Sequence, residues 1–369
     1  MYRTANPLNK MNLYIPKSLN NIPYKAKVAY IILESHILEN NEYDTDGEYS
    51  SYVQIPSSFL RKKINHSNHT DLIKLLHPYI EVNDIYSVGR FSKSYRLNLI
   101  YNEEERVPFK IKTRRSNNTP VIPTTSIEKS ILDIISNIEI RISQKDLEIY
   151  KNTLPISRYN RIIYSILKHD IKDFSISTGP NNGRVYHNLN TCPKEIRHHI
   201  FYKDTPLVQY DLKSAIGLYL YSLYPEVSKE RNKFVQVYKQ DMYLYLSASG
   251  NRELAKNHMI RMLSREKRGN RLQLDTYAKF EIEFPELHDI IFKDKQTINT
   301  NMCNYQKWES DIMINGVFKE FIKQHKIGLP VHDCLMVPAI LSAETAVKDL
   351  IEQVILKKIG IKPIVTKEN

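Results

Sequence analysis

The sequence predicts an α+β protein, with an N-terminal winged helix-turn-helix followed by a larger region built on an antiparallel sheet. Three observations predict it. Residues 24–101 read as helix, helix, helix, hairpin. Two apolar strands far apart in the chain, in VQYDLKSA and LPVHDCLMVP, each run into an aspartate. Between them lie segments with helical spacing of apolar residues, and no internal repeat.

The N-terminal elements follow from local pattern. YKAKVAYIILESHILEN, 24–40, places apolar residues at helical spacing. VQIPSSFLRKKIN reads as a short strand and a short helix carrying Arg61, Lys62 and Lys63. HSNHTDLIKLLHPY has a polar start and an apolar stripe of Leu72, Ile73, Leu75 and Leu76, which predicts a third helix. IEVNDIYSVGRFSKSYRLNLIY alternates as two strands with Gly89 near the turn. The wing of such a domain carries Arg90, Lys93 and Arg96, and the third helix and wing are its expected contacts to DNA or RNA. The same fold also docks proteins.

The expected organisation is a winged-helix-like nucleic-acid-binding domain over 1–101, a basic linker over 102–125, a helical arm or thumb-like region over 126–180, and a catalytic domain over 181–369. The linker contains NEEERVPFKIKTRRSNNTPVIPTT, with three prolines and the cations Lys110, Lys112, Arg114 and Arg115.

Lys and Arg number 53 against 41 Asp and Glu, a net charge of +12. That excess favours an acidic partner, of which nucleic acid is the commonest. An A+T-rich coding sequence gives the same bias, so charge is read together with the motifs. Cys192, Cys303 and Cys334 are far apart, which excludes a C-x-x-C zinc ribbon and a disulfide framework. MYRTANPLNK has no apolar leader segment, and no run of about 18 apolar residues occurs. The expectation is a cytoplasmic protein with no membrane partner. The sequence leaves the oligomeric state open.

The strand in 205–212 ends at Asp211 before a helix-like segment, and Asp333 falls at the tip of a hairpin between LPV and CLMV. Two acids on adjacent antiparallel strands can share divalent metal. Two Mg²⁺ ions about 4 Å apart clamp an in-line phosphoryl displacement, and carboxylates suit this hard cation better than His or Cys. Between the acids, Arg252 and Lys256 stand at i, i+4 in RELAK. On a helix they share one face and can grip a triphosphate. Taken singly, each feature also fits a turn former or a solvated basic face.

Together these pieces resemble the A-family DNA polymerases and the single-subunit phage-type RNA polymerases, over about residues 180–340. GRVYHNLNTCPKEIR, 183–197, resembles their arginine-bearing segment before the palm, with Arg184 in the matching place. VQYDLKSA resembles motif A, RELAK the R-x-x-x-K of the fingers helix, and VHD, 331–333, motif C. NYQKWESDIM, 304–313, falls where the family carries polar residues toward the nascent duplex, which nominates Gln306 and Glu309. The resemblance implies a right-hand palm and fingers with an antiparallel sheet. It implies nucleotidyl transfer onto a 3′-hydroxyl with nucleoside triphosphates, a DNA template, and a primer or nascent strand. It makes Asp211, Asp333 and the Leu212 backbone carbonyl the ligands of Mg²⁺, with Mn²⁺ as a substitute. Arg252 and Lys256 bind triphosphate, Lys256 protonates the departing pyrophosphate, and His332 lies beside the primer end.

Two departures leave the sugar open. DLKSAIGLYL has no second acid, and MIRMLSREKRGN lacks the aromatic-glycine pair expected after R-x-x-x-K. A small DNA polymerase is the first expectation, with primase or RNA polymerase activity open. An N-terminal winged helix suggests a phage or mobile-element replication protein. The rival readings are a non-catalytic DNA-binding initiator or repressor, and a metal-dependent nuclease.

Overall fold

A computed structural model describes residues 13–41, 52–55, 57, 60, 69–84, 93–98, 104–109, 123–170, 174–264, 275–292, 300–325, 327–343 and 346–368. The described elements run β1 (Leu13–Pro16), α1 (Tyr24–Asn41), β2 (Val53–Gln54), α2 (His69–Leu76), β3 (Ile80–Asn83), β4 (Ser94–Leu97) and β5 (Arg106–Phe109). Next come α3 (Ser126–Ser136), β6 (Ile138–Ile140), α4 (Gln144–Thr153), α5 (Ile156–Asp170), β7 (Ile176–Thr178), β8 (Val185–His187), α6 (Lys194–Arg197), β9 (Ile200–Tyr202), β10 (Thr205–Leu212) and α7 (Ala215–Ser222). The remainder is α8 (Arg231–Leu246), α9 (Arg252–Ser264), α10 (Asp275–Glu283), α11 (Pro285–Phe292), α12 (Thr300–Ser310), α13 (Lys319–His325), β11 (Leu329–Val331), β12 (Cys334–Pro338), α14 (Ala346–Ile359) and β13 (Val365–Glu368). The protein is thus mixed α+β with antiparallel sheets.

The chain divides into two compact units. One comprises 1–118, 142–173 and 191–196; the other comprises 119–141, 174–190 and 197–369. The expected linker and arm are therefore shared out rather than separate. Residues 106–109 form β5, which pairs with β1 in the first unit. The helix expected across 126–140 stops at Ser136, and the alternating Ile138-Glu139-Ile140 becomes β6 of the second unit's sheet.

In the first unit, α1 buries Ala26, Ala29, Tyr30, Leu33 and Ile37, an i, i+3/i+4 series, and packs on α2. The strands beside it form an antiparallel sheet in the order β2-β4-β3. A buried acid on α1 is compensated. Glu34 is 1% exposed and takes Arg106 at 2.7 Å and the Tyr30 hydroxyl at 2.9 Å. An unpaired carboxylate there would cost several kcal/mol. On α5, Asn160 bonds both backbone groups of Tyr14 and thereby fixes β1.

The second unit is organised by one sheet, ordered β11-β12-β10-β9-β6, with β13 also paired to β10. In β10, Val208, Tyr210 and Leu212 are buried and share one face. Alternation therefore turns Gln209 and Asp211 to the opposite face. The start of α3 is closed by reciprocal bonds: Thr125 accepts from the Glu128 N–H, and Glu128 accepts from the Thr124 N–H. No described helix is long and apolar enough to cross a membrane.

Candidate functional site

The site grows out of the register of three strands. Asp211 stands opposite Cys334 of β12 and opposite Thr366 of β13, so it is flanked on both sides. Asp333 immediately precedes β12, in the two-residue turn after β11. His332, its turn partner, adopts a left-handed backbone at φ 54°. The Leu212 N–H donates to the Asp333 carbonyl at 3.1 Å, which pins the turn against the end of β10. Two aspartates distant in sequence are thereby brought together.

Their electrostatics reflect that proximity. Burial pushes the Asp211 carboxyl up to about 7, with Asp333 and Glu368 adding to the rise and Lys256 and Arg197 opposing it. Burial likewise raises Asp333, against the pull of its own backbone N–H, Lys256, Arg184 and Arg197. Two half-buried carboxyls that resist ionisation together form an environment that a cation relieves. Among the described residues, no group of three or more His, Cys, Asp and Glu side chains is gathered to hold a metal. A cation on this pair would take its other ligands from backbone oxygens, water and substrate phosphates, the donors Mg²⁺ prefers.

Cations surround the pair. Lys256 projects from α9 and acts on both acids. Arg252 lies one helical turn earlier. Its Nε donates to Asp241 at 2.8 Å, its Nη1 to Glu253 at 2.8 Å, and its guanidinium covers the Tyr243 ring at 5.2 Å. Lys213, two residues after Asp211, sits 3.7 Å from the same Asp241 carboxylate. Arg197 reaches Gln209 at 3.5 Å on the Asp211 face of β10.

A second polar seam borders Asp333. Arg184 pairs with Glu309, whose side chain is 3% exposed, and its guanidinium lies 6.0 Å from the centre of the Tyr305 ring. Gln306 accepts from Asn182 at 2.9 Å, and the Ser310 hydroxyl donates to the Gly183 carbonyl at 2.6 Å. The turn between β7 and β8 is thus stitched to α12. Burial raises the Glu309 carboxyl, with Asp333 adding to the rise and Arg184 opposing it. His332 is bonded to the Asn190 backbone, and burial first, then Arg184 and Arg197, lower it to about 4, which keeps it neutral at physiological pH.

The structure accordingly gathers Asp211, Asp333, Lys256, Arg184, His332 and Glu309 around one point, and joins Arg252 to it through Asp241. Gln306 is engaged with Asn182. The Leu212 backbone is held by Asp333 and by pairing to Val365. The expected wing contacts stand in the other unit. Lys93 is ion-paired to Asp84 at 2.5 Å, and Arg96 to Glu81 at 2.6 Å while covering the Tyr52 ring. The two described wing cations are therefore answered internally. Arg90, Arg61, Lys62 and Lys63 and the linker cations lie outside the described residues.

Sequence reasoning missed Arg197, Lys213, Asp241, Tyr243 and Glu368. Lys213 and Arg197 stood inside quoted motifs and carried charge, a signal that was available. Asp241 had none, because only the fold brings it to Arg252. No known protein family matches the chain, and no curated protein sequence is significantly similar to it.

Proposed function

We propose that the chain is a template-directed nucleotidyltransferase: a small DNA polymerase, with RNA polymerase or primase activity open, whose site resembles the A-family and phage-type RNA polymerases. The observation that carries the reading is the pair of Asp211, on β10, and Asp333, in the turn before β12, with Lys256, Arg184 and Arg197 acting on them and Arg252 joined through Asp241. On this reading the sheet of β10, β12 and β13 is the palm and α8–α11 the fingers. The first unit, with α1, α2 and the β2-β4-β3 sheet, is a winged helix that holds DNA.

The donor set fits Mg²⁺, with Mn²⁺ as a substitute. Asp211, Asp333 and the Leu212 carbonyl would hold it, and it would supply charge neutralisation and Lewis acidity at the reacting phosphates. The chain's own residues do the rest. Arg252 and Lys256 grip the triphosphate of the incoming nucleotide. A 3′-hydroxyl gives up its proton to solvent as its oxygen bonds to the α-phosphorus, the α–β anhydride bond breaks, and Lys256 gives a proton to the departing pyrophosphate. Arg184, held by Glu309, and neutral His332 line the path of the primer end. Such an enzyme suits a phage or mobile element that finds its own start site.

The test is nucleotide incorporation on a DNA template, with and without primer, and with dNTPs against NTPs. Asp211→Asn and Asp333→Asn should each abolish incorporation while nucleic-acid binding persists. A non-catalytic initiator keeps all its activity in both variants. A nuclease degrades the template and adds no nucleotide.

A further inference from the structure

We infer that Asp241 is a positioning residue, which clamps Arg252 and Lys213 into a two-cation seat for the incoming triphosphate. The inference rests on the proposed nucleotidyl transfer and adds two residues to it.

The geometry gives each Asp241 oxygen a separate task. Asp241 interrupts α8 with an extended backbone, and its Oδ1 accepts from the N–H groups of Tyr243 and Leu244 at 3.1 and 3.2 Å. Those bonds restart the helix, as an N-cap does, and fix the carboxylate's direction. Its Oδ2 then takes the Arg252 Nε at 2.8 Å, with the Lys213 Nζ at 3.7 Å. The carboxylate is therefore not a free surface partner that wanders among cations; its side chain is only 13% exposed. Burial opposes its ionisation, but the Arg252 hydrogen bond and the backbone N–H of Leu244 outweigh this and hold it ionised.

One acid does not neutralise what it gathers. Arg252 and Lys213 meet at Asp241, and Lys256 stands one turn along the same helix. Glu253, the other partner of Arg252, is 69% exposed and well screened. Net positive charge remains beside Asp211 and Asp333. Arg252 uses Nε on Asp241 and Nη1 on Glu253, so its Nη2 keeps no partner among the described residues. Tyr243 closes the seat from beneath: it is nearly fully buried, bonds the Ser214 side chain just after β10, and feels the charge of Asp333. A fork anchored at Nε and Nη1 and open at Nη2 presents a fixed donor to an anion, which is what alignment of a polyphosphate requires.

The test is a double-mutant cycle on primer extension by the full chain. Asp241→Asn keeps the oxygen that caps Tyr243 and Leu244 and removes the charge. We expect it to lower kcat about 10–100-fold and move the nucleotide KM less than about threefold, because the seat loses order and not charge. On an Arg252→Ala background the same change should cost less than about threefold, because its effect runs chiefly through Arg252, held at 2.8 Å against 3.7 Å for Lys213. Lys213→Met should raise the nucleotide KM about 5–20-fold. Folded fraction is checked by circular dichroism, and a folding defect would persist undiminished in the double variant. Full multiplication of the two losses, or an unchanged KM in Lys213→Met, overturns the inference while leaving the enzyme reading intact. A wild-type chain that incorporates no nucleotide overturns the enzyme reading itself.

Discussion

Replacing Asp211 by Asn should make the metal-free protein more stable, and only at neutral and alkaline pH. The carboxyl is raised from 3.8 to about 7, chiefly by burial and next by Asp333. A folded-state value above the unfolded one means that this group's contribution is fully favourable below about pH 3.8 and is lost as pH rises through about 7. At 1.36 kcal/mol per pH unit, the ionised carboxylate costs the fold up to about 4 kcal/mol at pH 8. An amide in its place is also partly buried, so a net gain of about 2–3 kcal/mol remains. For a unit of this size that raises the melting temperature by about 4–12 °C. The assay is calorimetry or dye-monitored melting in chelator at pH 8 and pH 4. The gain should appear at pH 8 and shrink to within about 2 °C at pH 4. Excess Mg²⁺ should then stabilise the wild type and leave the variant unmoved. A variant less stable than the wild type at pH 8, or an equal gain at both pH values, would refute the reasoning that these acids are crowded together.

Three further outcomes follow from packing and pairing. Arg106→Met strands Glu34, 1% exposed, without its partner, and should cost the first unit about 3–5 kcal/mol by urea unfolding. Arg184→Ala does the same to Glu309 in the second unit. That loss should ease as pH falls, because the raised carboxyl of Glu309 then takes up a proton; pH-dependent melting reads the difference. Gly217→Ala places a Cβ 2.9 Å from Tyr238 Cδ2, and Tyr238 bonds the backbone of Lys213 and Ile364 on either side of the site. Denaturant titration should show a loss of about 1–3 kcal/mol.

The helices and the two acids were legible because their signals are local. Tyr24–Asn41 shows its stripe within four turns, and Asp333 announces itself by interrupting an apolar hairpin. What was not legible is set by distant partners. Arg106–Phe109 looks like linker because nothing near it says that β1 will pair with it. Ile138–Ile140 continues a helical pattern until β9 offers it a ladder. Asp241 reads as an ordinary helix residue until α9 returns to it with Arg252. Lys93 and Arg96 read as open cations, and their neutralisation by Asp84 and Glu81 is equally invisible in composition.

The pairing of Asp211 with Thr366, two residues separated by 155 positions, has a bearing on how the protein is made. During synthesis the Asp211 strand emerges before its partner β13 and stays unsealed along that border until Val365–Glu368 has left the ribosome. A chain interrupted shortly before that point would own every residue proposed for chemistry and still present a raw, sticky edge where its centre belongs. Tags or deletions near Val365–Glu368 are therefore interventions in the heart of the molecule, however peripheral they look on a linear map.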